Sequence, residues 1–341
     1  LQCTPGGHHV QSGSWAKLKA LLGWHAVRIV ITNGEAIVAG VQVLVRPLPA
    51  LGAIGYLPKG PLFAFYDPAL VEMMFAEIHR VSKVYRITPL FVQPPNNGVH
   101  LSELLPSHGF QPTSIAIAQP TATLLIDLSK ELDAILAGMK SKTRYAIRLG
   151  RRKGITTREG TARDIPTFHH LLMETGKRQD FTPPDEEFFV AMARLIGRHG
   201  HFKLFLAEYQ GEALAALLAV PFGDTVIYKR GAWSGRHGNL HPNEALHWAA
   251  IRWAKTQGYH HYDLEGIDPS IAAILTRGDS PPGPIADSVS RFKLGFGGRV
   301  TLLPGIFVYI YNPFLRWVYR TIYPKIAGWP VMERLMNDLS W

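Results

Sequence analysis

A turn followed by an apolar strand is written twice into this chain, as Asn33-Gly34-Glu35-Ala36-Ile37-Val38-Ala39-Gly40-Val41 and again as Gln210-Gly211-Glu212-Ala213-Leu214-Ala215-Ala216-Leu217-Leu218. A glycine turn set between apolar runs specifies a hairpin, and its recurrence at this distance predicts two copies of one α/β unit. The first copy reads as a helix over 14–22, strands over 27–31 and 37–45, and a Pro/Gly loop reaching Tyr56-Leu57-Pro58-Lys59-Gly60-Pro61. A helix over 68–81 and a strand over 86–91 follow. The second reads as helices over 164–176 and 185–199, strands over 202–208, 214–221 and 225–230, a helix over 242–257 and a strand over 259–264. Hairpins followed by a helix and a further strand favour an α/β (α+β) mixed sheet with helices against it and disfavour an all-β sandwich. At 341 residues and 47% hydrophobic, the chain can fill two ordinary cores. The expected division is residues 1–140 with 305–341 in one domain and 141–304 in the other.

Composition removes several classes. Cys3 is the one cysteine, so no internal disulfide can form and a disulfide-built secreted fold is excluded. No apolar run approaches the length of a transmembrane helix, and no basic segment with an apolar core opens the chain; neither a span nor a signal peptide is expected. The initial leucine leaves open that the native start lies upstream. His237, His241, His260 and His261 lack cysteine partners and a His-Glu-x-x-His helix, so no metal site is expected.

The formal charge of +10 is concentrated: Lys140, Lys142, Arg144, Arg148, Arg151, Arg152 and Lys153 follow one another with no acid among them. Arg144, Arg148 and Arg152 recur at helical spacing. They are either a solvated helix face or contacts for phosphate, nucleic acid or anionic lipid. From Ile306 onward the chain turns aromatic and basic, and Phe314, Trp317, Val318, Ile322 and Ile326 define an apolar stripe. Docking of that stripe on the first domain is favoured over a membrane surface.

The chemistry is concentrated in Phe292-Lys293-Leu294-Gly295-Phe296-Gly297-Gly298, which lies downstream of Tyr262-Asp263-Leu264-Glu265-Gly266-Ile267. Glycines let backbone approach a ligand closely, and a lysine there offers a cation to phosphate or to a developing oxyanion. The same heptapeptide could be a tight β-turn with one solvated lysine. Asp263 could act as a base, orient an acceptor ammonium, or cap the turn into Gly266. Lys229 and Arg230, at a strand end, could bind phosphate, while Glu244 suits a helix start. No protein nucleophile is visible, since Cys3 is terminal and no Gly-x-Ser-x-Gly elbow occurs.

In order and spacing, these motifs resemble the FemABX family of aminoacyl-tRNA-dependent transferases that build peptidoglycan interpeptide bridges. The resemblance runs from Gln11-Ser12-Gly13-Ser14-Trp15 through Tyr56 to Pro61, Lys142 to Arg148, Tyr228-Lys229-Arg230-Gly231-Ala232 and Pro242 to Trp248. It ends with the two motifs just described. It implies two tandem domains like those of GCN5-related N-acetyltransferases (GNAT), in the short form without a coiled-coil arm, since no heptad insertion lies between Asp164 and Phe202. It implies Lys293 at the transfer site, Lys19 on the nucleotide-linked precursor, Tyr228 lining the precursor channel and Phe292 beside the acyl-acceptor groove. Asp263 is a second catalytic candidate, read from its own chemistry, and Trp15, Lys59 and Arg230 complete the candidate substrate-binding residues. Arg144, Arg148 and Arg152 become candidates for transfer RNA or phosphate. Aminoacyl-tRNA would be a co-substrate with no further cofactor, and a peptidoglycan precursor the acceptor. A cytoplasmic monomer with peripheral contact at the inner membrane surface is expected. Peptide-bond formation from an activated ester then proceeds by direct attack of the acceptor amine. The Arg/Gln-x-x-Gly-x-Gly/Ala loop that holds coenzyme A is missing, which argues against an acetyl-CoA donor. Two other readings stay open: an N-acyltransferase of the same superfold with another donor, and a nucleic-acid-binding protein without chemistry.

Overall fold

A computed structural model describes residues 1–48, 52–113, 119–281, 283–285 and 288–321. The chain divides into two compact units, Leu1–Gln119 with Leu303–Trp341, and Pro120–Leu302.

Helix α1 (Gly13–Ala20) opens the first unit, its start capped by Ser12, whose Oγ accepts the Trp15 N–H at 3.1 Å. Strands β1 (His25–Asn33) and β2 (Ala36–Leu48) form the hairpin that the Asn33-Gly34 turn predicts. Strand β3 (Gly52–Pro58) occupies ground expected to be a Pro/Gly loop. It lies inside the sheet, antiparallel to β2, and Gly55 is there for space: a Cβ would come within 2.8 Å of the Ile87 and Leu90 side chains. A two-residue strand, β4 (Leu62–Phe63), pairs with β2. Helix α2 (Pro68–Val84) has Asp67 as its cap and buries Val71, Met74, Phe75, Ile78 and Val81, the three-and-four spacing of one helix face. Strand β5 (Ile87–Gln93) comes next, parallel to β3. Helix α3 (Val99–Leu104) and strand β6 (Gln111–Thr113) complete this stretch.

The second unit runs through β7 (Ala122–Asp127), α4 (Leu132–Ala137), α5 (Ser141–Arg152), β8 (Thr156–Gly160), α6 (Ile165–Gln179) and α7 (Glu186–Gly197). Then come β9 (Lys203–Tyr209), β10 (Glu212–Phe222), β11 (Thr225–Trp233), α8 (Pro242–Thr256), β12 (His261–Asp263), α9 (Pro269–Thr276), α10 (Ser288–Lys293) and β13 (Arg299–Leu302). The chain returns to the first unit as β14 (Ile306–Ile310) and α11 (Pro313–Thr321).

Strand order is β1-β2-β3-β5-β14-β6 in one sheet and β13-β7-β12-β11-β10-β9-β8 in the other. Each sheet holds a hairpin, then a strand joined through a helix to a parallel neighbour: β3, α2 and β5 in one, β11, α8 and β12 in the other. That is the duplication the two turns announce.

The first boundary falls at 119/120 and not at 140/141. Strand β7 is hydrogen-bonded between β12 and β13, and Ile135 and Met139 lie in the second core, so residues 120–140 fold as part of the second unit. The stripe expected after Ile306 is also differently built. Ile306, Val308 and Ile310 belong to β14, and α11 packs through Leu315 and Tyr319 onto the cluster containing Trp24, Leu44, Tyr56 and Phe91. Phe314 and Trp317 are exposed and stack on each other with ring centroids 6.2 Å apart; Ile322 and Ile326 lie outside the described residues. Among the described residues no helix is long and apolar enough to cross a membrane.

Candidate active site

Strands β11 and β12 are paired over only three positions, from Thr225↔His261 to Ile227↔Asp263. Beyond them β11 runs on to Trp233 while the chain leaves β12 for α9, so the two parallel strands part at their carboxyl ends, where open α/β sheets hold ligands. Where they part, β11 carries a bulge: Tyr228 faces Ala219 and Arg230 faces Leu218, leaving Lys229 as the extra residue. A bulge breaks strand alternation and re-aims a side chain. Lys229 therefore lies within the strand and not at its end, and its ammonium reaches the Glu265 carboxylate at 3.2 Å in a pair with 9% and 12% of the two side chains exposed. Burial draws the Lys229 ammonium below its ordinary pKa, and the Glu265 charge works against that.

Across the gap, Glu265 (φ 38°) and Gly266 (φ 58°) both turn left-handed. This pair aims two carbonyls at Lys293, whose Nζ donates to Gly266 O at 2.9 Å and also to Glu265 O. Lys293 is buried and is not the solvated turn lysine of the simpler reading. It ends helix α10, and Leu294–Phe296 continue as a 3-10 turn, so the glycine-rich loop narrows to Gly297 and Gly298. Both adopt positive φ, and a Cβ on either would collide with a backbone carbonyl, that of Gly138 or that of Leu125. The Lys293 ammonium stands 5.6 Å from the Tyr228 ring centroid.

Asp263 is the third element of this turn. Its Oδ1 accepts the Glu265 N–H at 2.8 Å and the Thr123 hydroxyl, so it does cap the turn into Gly266. Burial first, and the Glu265 charge second, raise its carboxyl to about 6. An unfolded aspartate titrates near 4, so between about pH 4 and 6 the folded chain binds the proton that the unfolded chain has lost. Stability should therefore fall as pH rises through that window and level off above it. Urea midpoints of wild type and Asp263→Asn, compared from pH 4 to pH 7, should differ by this slope; parallel profiles would contradict it.

Behind the lysine lies a residue that sequence reasoning passed over. His247, on α8, is buried with its Nδ1 3.0 Å from the Tyr262 hydroxyl, its ring edge-on to Tyr228 at 4.5 Å and to Phe292 at 5.5 Å. Burial, and then the Lys293 charge, push it down to about 3, so the imidazole is neutral. It backs the Tyr228 and Phe292 rings without adding a second cation beside Lys293. Glu265 and Thr123 were likewise not singled out, although His247 and Glu265 each stand inside a recognised motif.

The first unit holds Trp15, Lys19 and Lys59. Lys19 and Lys59 are only 5% and 1% exposed, far from the surface lysines that isolated lysines usually are. Lys19 lies over the Trp24 ring at 5.7 Å, and Trp15 packs edge-on against His9. Gln11 and Gln42 fasten this corner: Gln11 Oε1 accepts the Gln42 N–H at 2.7 Å, its amide donates to Pro58 O, and Gln42 Nε2 donates to Val10 O at 3.2 Å. The Pro58 contact places the entry to α1 beside Lys59, which itself adopts φ 50°. A cleft of 870 Å³ between β1 and α2 touches none of these residues.

The three basic-helix candidates separate. Arg148 and Arg152 are exposed on α5, whereas Arg144 Nη1 donates to Ala137 O at 3.0 Å and to Met139 O, closing the carboxyl end of α4. Among the described residues no group of three His, Cys, Asp or Glu side chains is placed to hold a metal ion.

Two GNAT-like units in tandem, the second carrying a buried lysine where its parallel strands part, define the tandem N-acyltransferase architecture. Residues 138–271 match the Acetyltransferase (GNAT) domain and residues 2–103 match the FemAB family. Through these matches the chain is similar to the FemABX family. It is 20% identical to the lipid II:glycine glycyltransferase of Staphylococcus saprophyticus over 96% of this chain and 94% of that one. With the enzyme of the same name from Staphylococcus haemolyticus it shares 23% over 62% of this chain and 52% of the other, about half the length of that relative. In fold it is similar to the crystal structure of FemX, with a TM-score of 0.79, 19% identity and coverage of 94% and 96% of the two chains. A tandem GNAT protein from the clavulanic acid pathway gives a TM-score of 0.53 at 10% identity, covering 90% of this chain and 97% of that one.

Proposed function

We propose that this chain transfers an amino acid from aminoacyl-tRNA to the stem-peptide amine of a peptidoglycan precursor, extending or starting an interpeptide bridge. The observation that carries this reading is the Lys293 ammonium, fixed by two backbone carbonyls where β11 and β12 separate. The acceptor amine attacks the ester carbonyl, the carbonyl oxygen takes up negative charge, and collapse forms the amide and releases the 3′ ribose hydroxyl. Lys293 faces the developing oxyanion, a preorganised cation in a dry site, where such groups contribute most. Asp263, with its carboxyl raised to about 6, accepts the proton the amine must lose or orients the ammonium before attack. Tyr228, Arg230 and Phe292 line the acyl and acceptor side. Lys19, Lys59 and Trp15 hold the phosphate-bearing part of the precursor. Exposed Phe314 and Trp317 on α11 are the groups available for peripheral membrane contact.

The match of residues 138–271 to acetyltransferases favours one second reading, transfer from a thioester donor through the same lysine. Donor dependence separates the two. Label should pass from aminoacyl-tRNA to a muropeptide, and acyl-CoA donors should give no product.

A further inference from the structure

Helix α5 packs its Thr143, Ala146, Ile147 and Gly150 face inward, and its other side carries charge without partners. Among the described residues Lys142, Arg148, Arg151, Arg152 and Lys153 make no ion pair, and no acid stands among them in sequence. Tyr145 stands in the same row, 55% exposed, three residues from Lys142 and from Arg148 and seven from Arg152. That places an aromatic face between cations on one helix surface. The row has a direction. Lys140 N–H donates to Gly295 O at 2.9 Å and Thr143 packs against Gly295, so α5 begins on the motif that carries Lys293 and leads away from it for 12 residues, about 18 Å.

We propose that this row, Lys142, Tyr145, Arg148 and Arg152, is the track for the single-stranded 3′ end of the donor RNA, with Tyr145 stacked on a base and the cations on phosphates. The inference rests on aminoacyl-tRNA being the donor, and it names the surface that receives it. A strand laid along α5 brings its terminal ribose, the bearer of the ester, to Lys293. Stacking on an aromatic platform flanked by cations is how single strands are held without base reading, which suits a donor end common to all transfer RNAs. The row has no second aromatic and no apolar cluster to enter a bilayer, so RNA is favoured over a lipid surface. Arg144 is not part of the track, because its guanidinium closes α4.

The test is fluorescence anisotropy with an uncharged RNA hairpin bearing a single-stranded 3′ tail, the same hairpin with a blunt end, and anionic phosphatidylglycerol vesicles, at low and at physiological salt. The tailed hairpin should bind more tightly than the blunt one. Tyr145→Ala should weaken it about tenfold to a hundredfold with unchanged salt dependence, and Tyr145→Phe should restore it. Arg148→Gln and Arg152→Gln should each lower the slope of log affinity against log salt by about 0.7. Equal binding of blunt and tailed hairpins, variants that bind like wild type, or losses confined to vesicles would overturn the proposal. If wild type transfers from aminoacyl-tRNA and these variants keep its KM, the track fails while the proposed function stands. If wild type neither binds RNA nor transfers from aminoacyl-tRNA, both fail.

Discussion

Lys293→Met should lower kcat for transfer about 100-fold to 1,000-fold, the cost of removing one preorganised oxyanion contact. Methionine keeps the length and apolar stem of the side chain while removing its charge, so packing beside Tyr228 should persist. The variant still loses two hydrogen bonds to Glu265 O and Gly266 O, at a stability cost of about 1–3 kcal/mol from carbonyls left without their donor. The effect should appear in kcat and kcat/KM together, because the charge is needed where the oxyanion develops and not in the ground state. Single-turnover transfer with both substrates saturating, beside a urea melt of the same preparation, separates the two losses. A folded variant with near-normal kcat would remove Lys293 from the chemistry.

The second large effect belongs to Lys229 and Glu265. Lys229→Met leaves a carboxylate nearly buried beside Asp263 with its cation gone, which should cost about 3–5 kcal/mol of stability. The double variant, Lys229→Met with Glu265→Met, removes the stranded charge and should recover most of that loss. A double-mutant cycle in urea should therefore show strong coupling, and additive single costs would contradict the account. Lys229 also opposes the rise of the Asp263 carboxyl, so its removal should carry the declining limb of the stability profile to higher pH. The pair thus acts on the same turn that holds Lys293, since Glu265 supplies one of the two carbonyls.

The hairpins, α2, α8 and the long strands were legible because period and turn chemistry agree at each. Strand β3 was not: Gly52, Gly55 and Pro58 read as loop signals, whereas Gly55 is demanded by close packing against Ile87 and Leu90. Strand β7 and the return strand β14 were missed for another reason. Each is paired with segments distant in sequence, β7 with β12 and β13, β14 with β5 and β6, and no local pattern announces such partners. At the site, Lys293 and Asp263 stood out by motif, and the structure joins them through one left-handed turn. The contribution of Lys229 depends on a bulge, a change of one residue in register that sequence alternation cannot show. His247 was hidden because a histidine at a helical position reads as packing, and only three-dimensional proximity to Tyr228, Phe292 and Tyr262 gives it a place.

The most direct test of the account is acyl transfer in vitro with purified protein, radiolabelled glycyl-, alanyl- and seryl-tRNA, UDP-linked and lipid-linked muropeptides as acceptors, and Lys293→Met alongside. The account predicts label on a muropeptide only when transfer RNA carries it, with the folded variant severely impaired. Product formed from acyl-CoA donors, and none from any aminoacyl-tRNA with either acceptor, would contradict it.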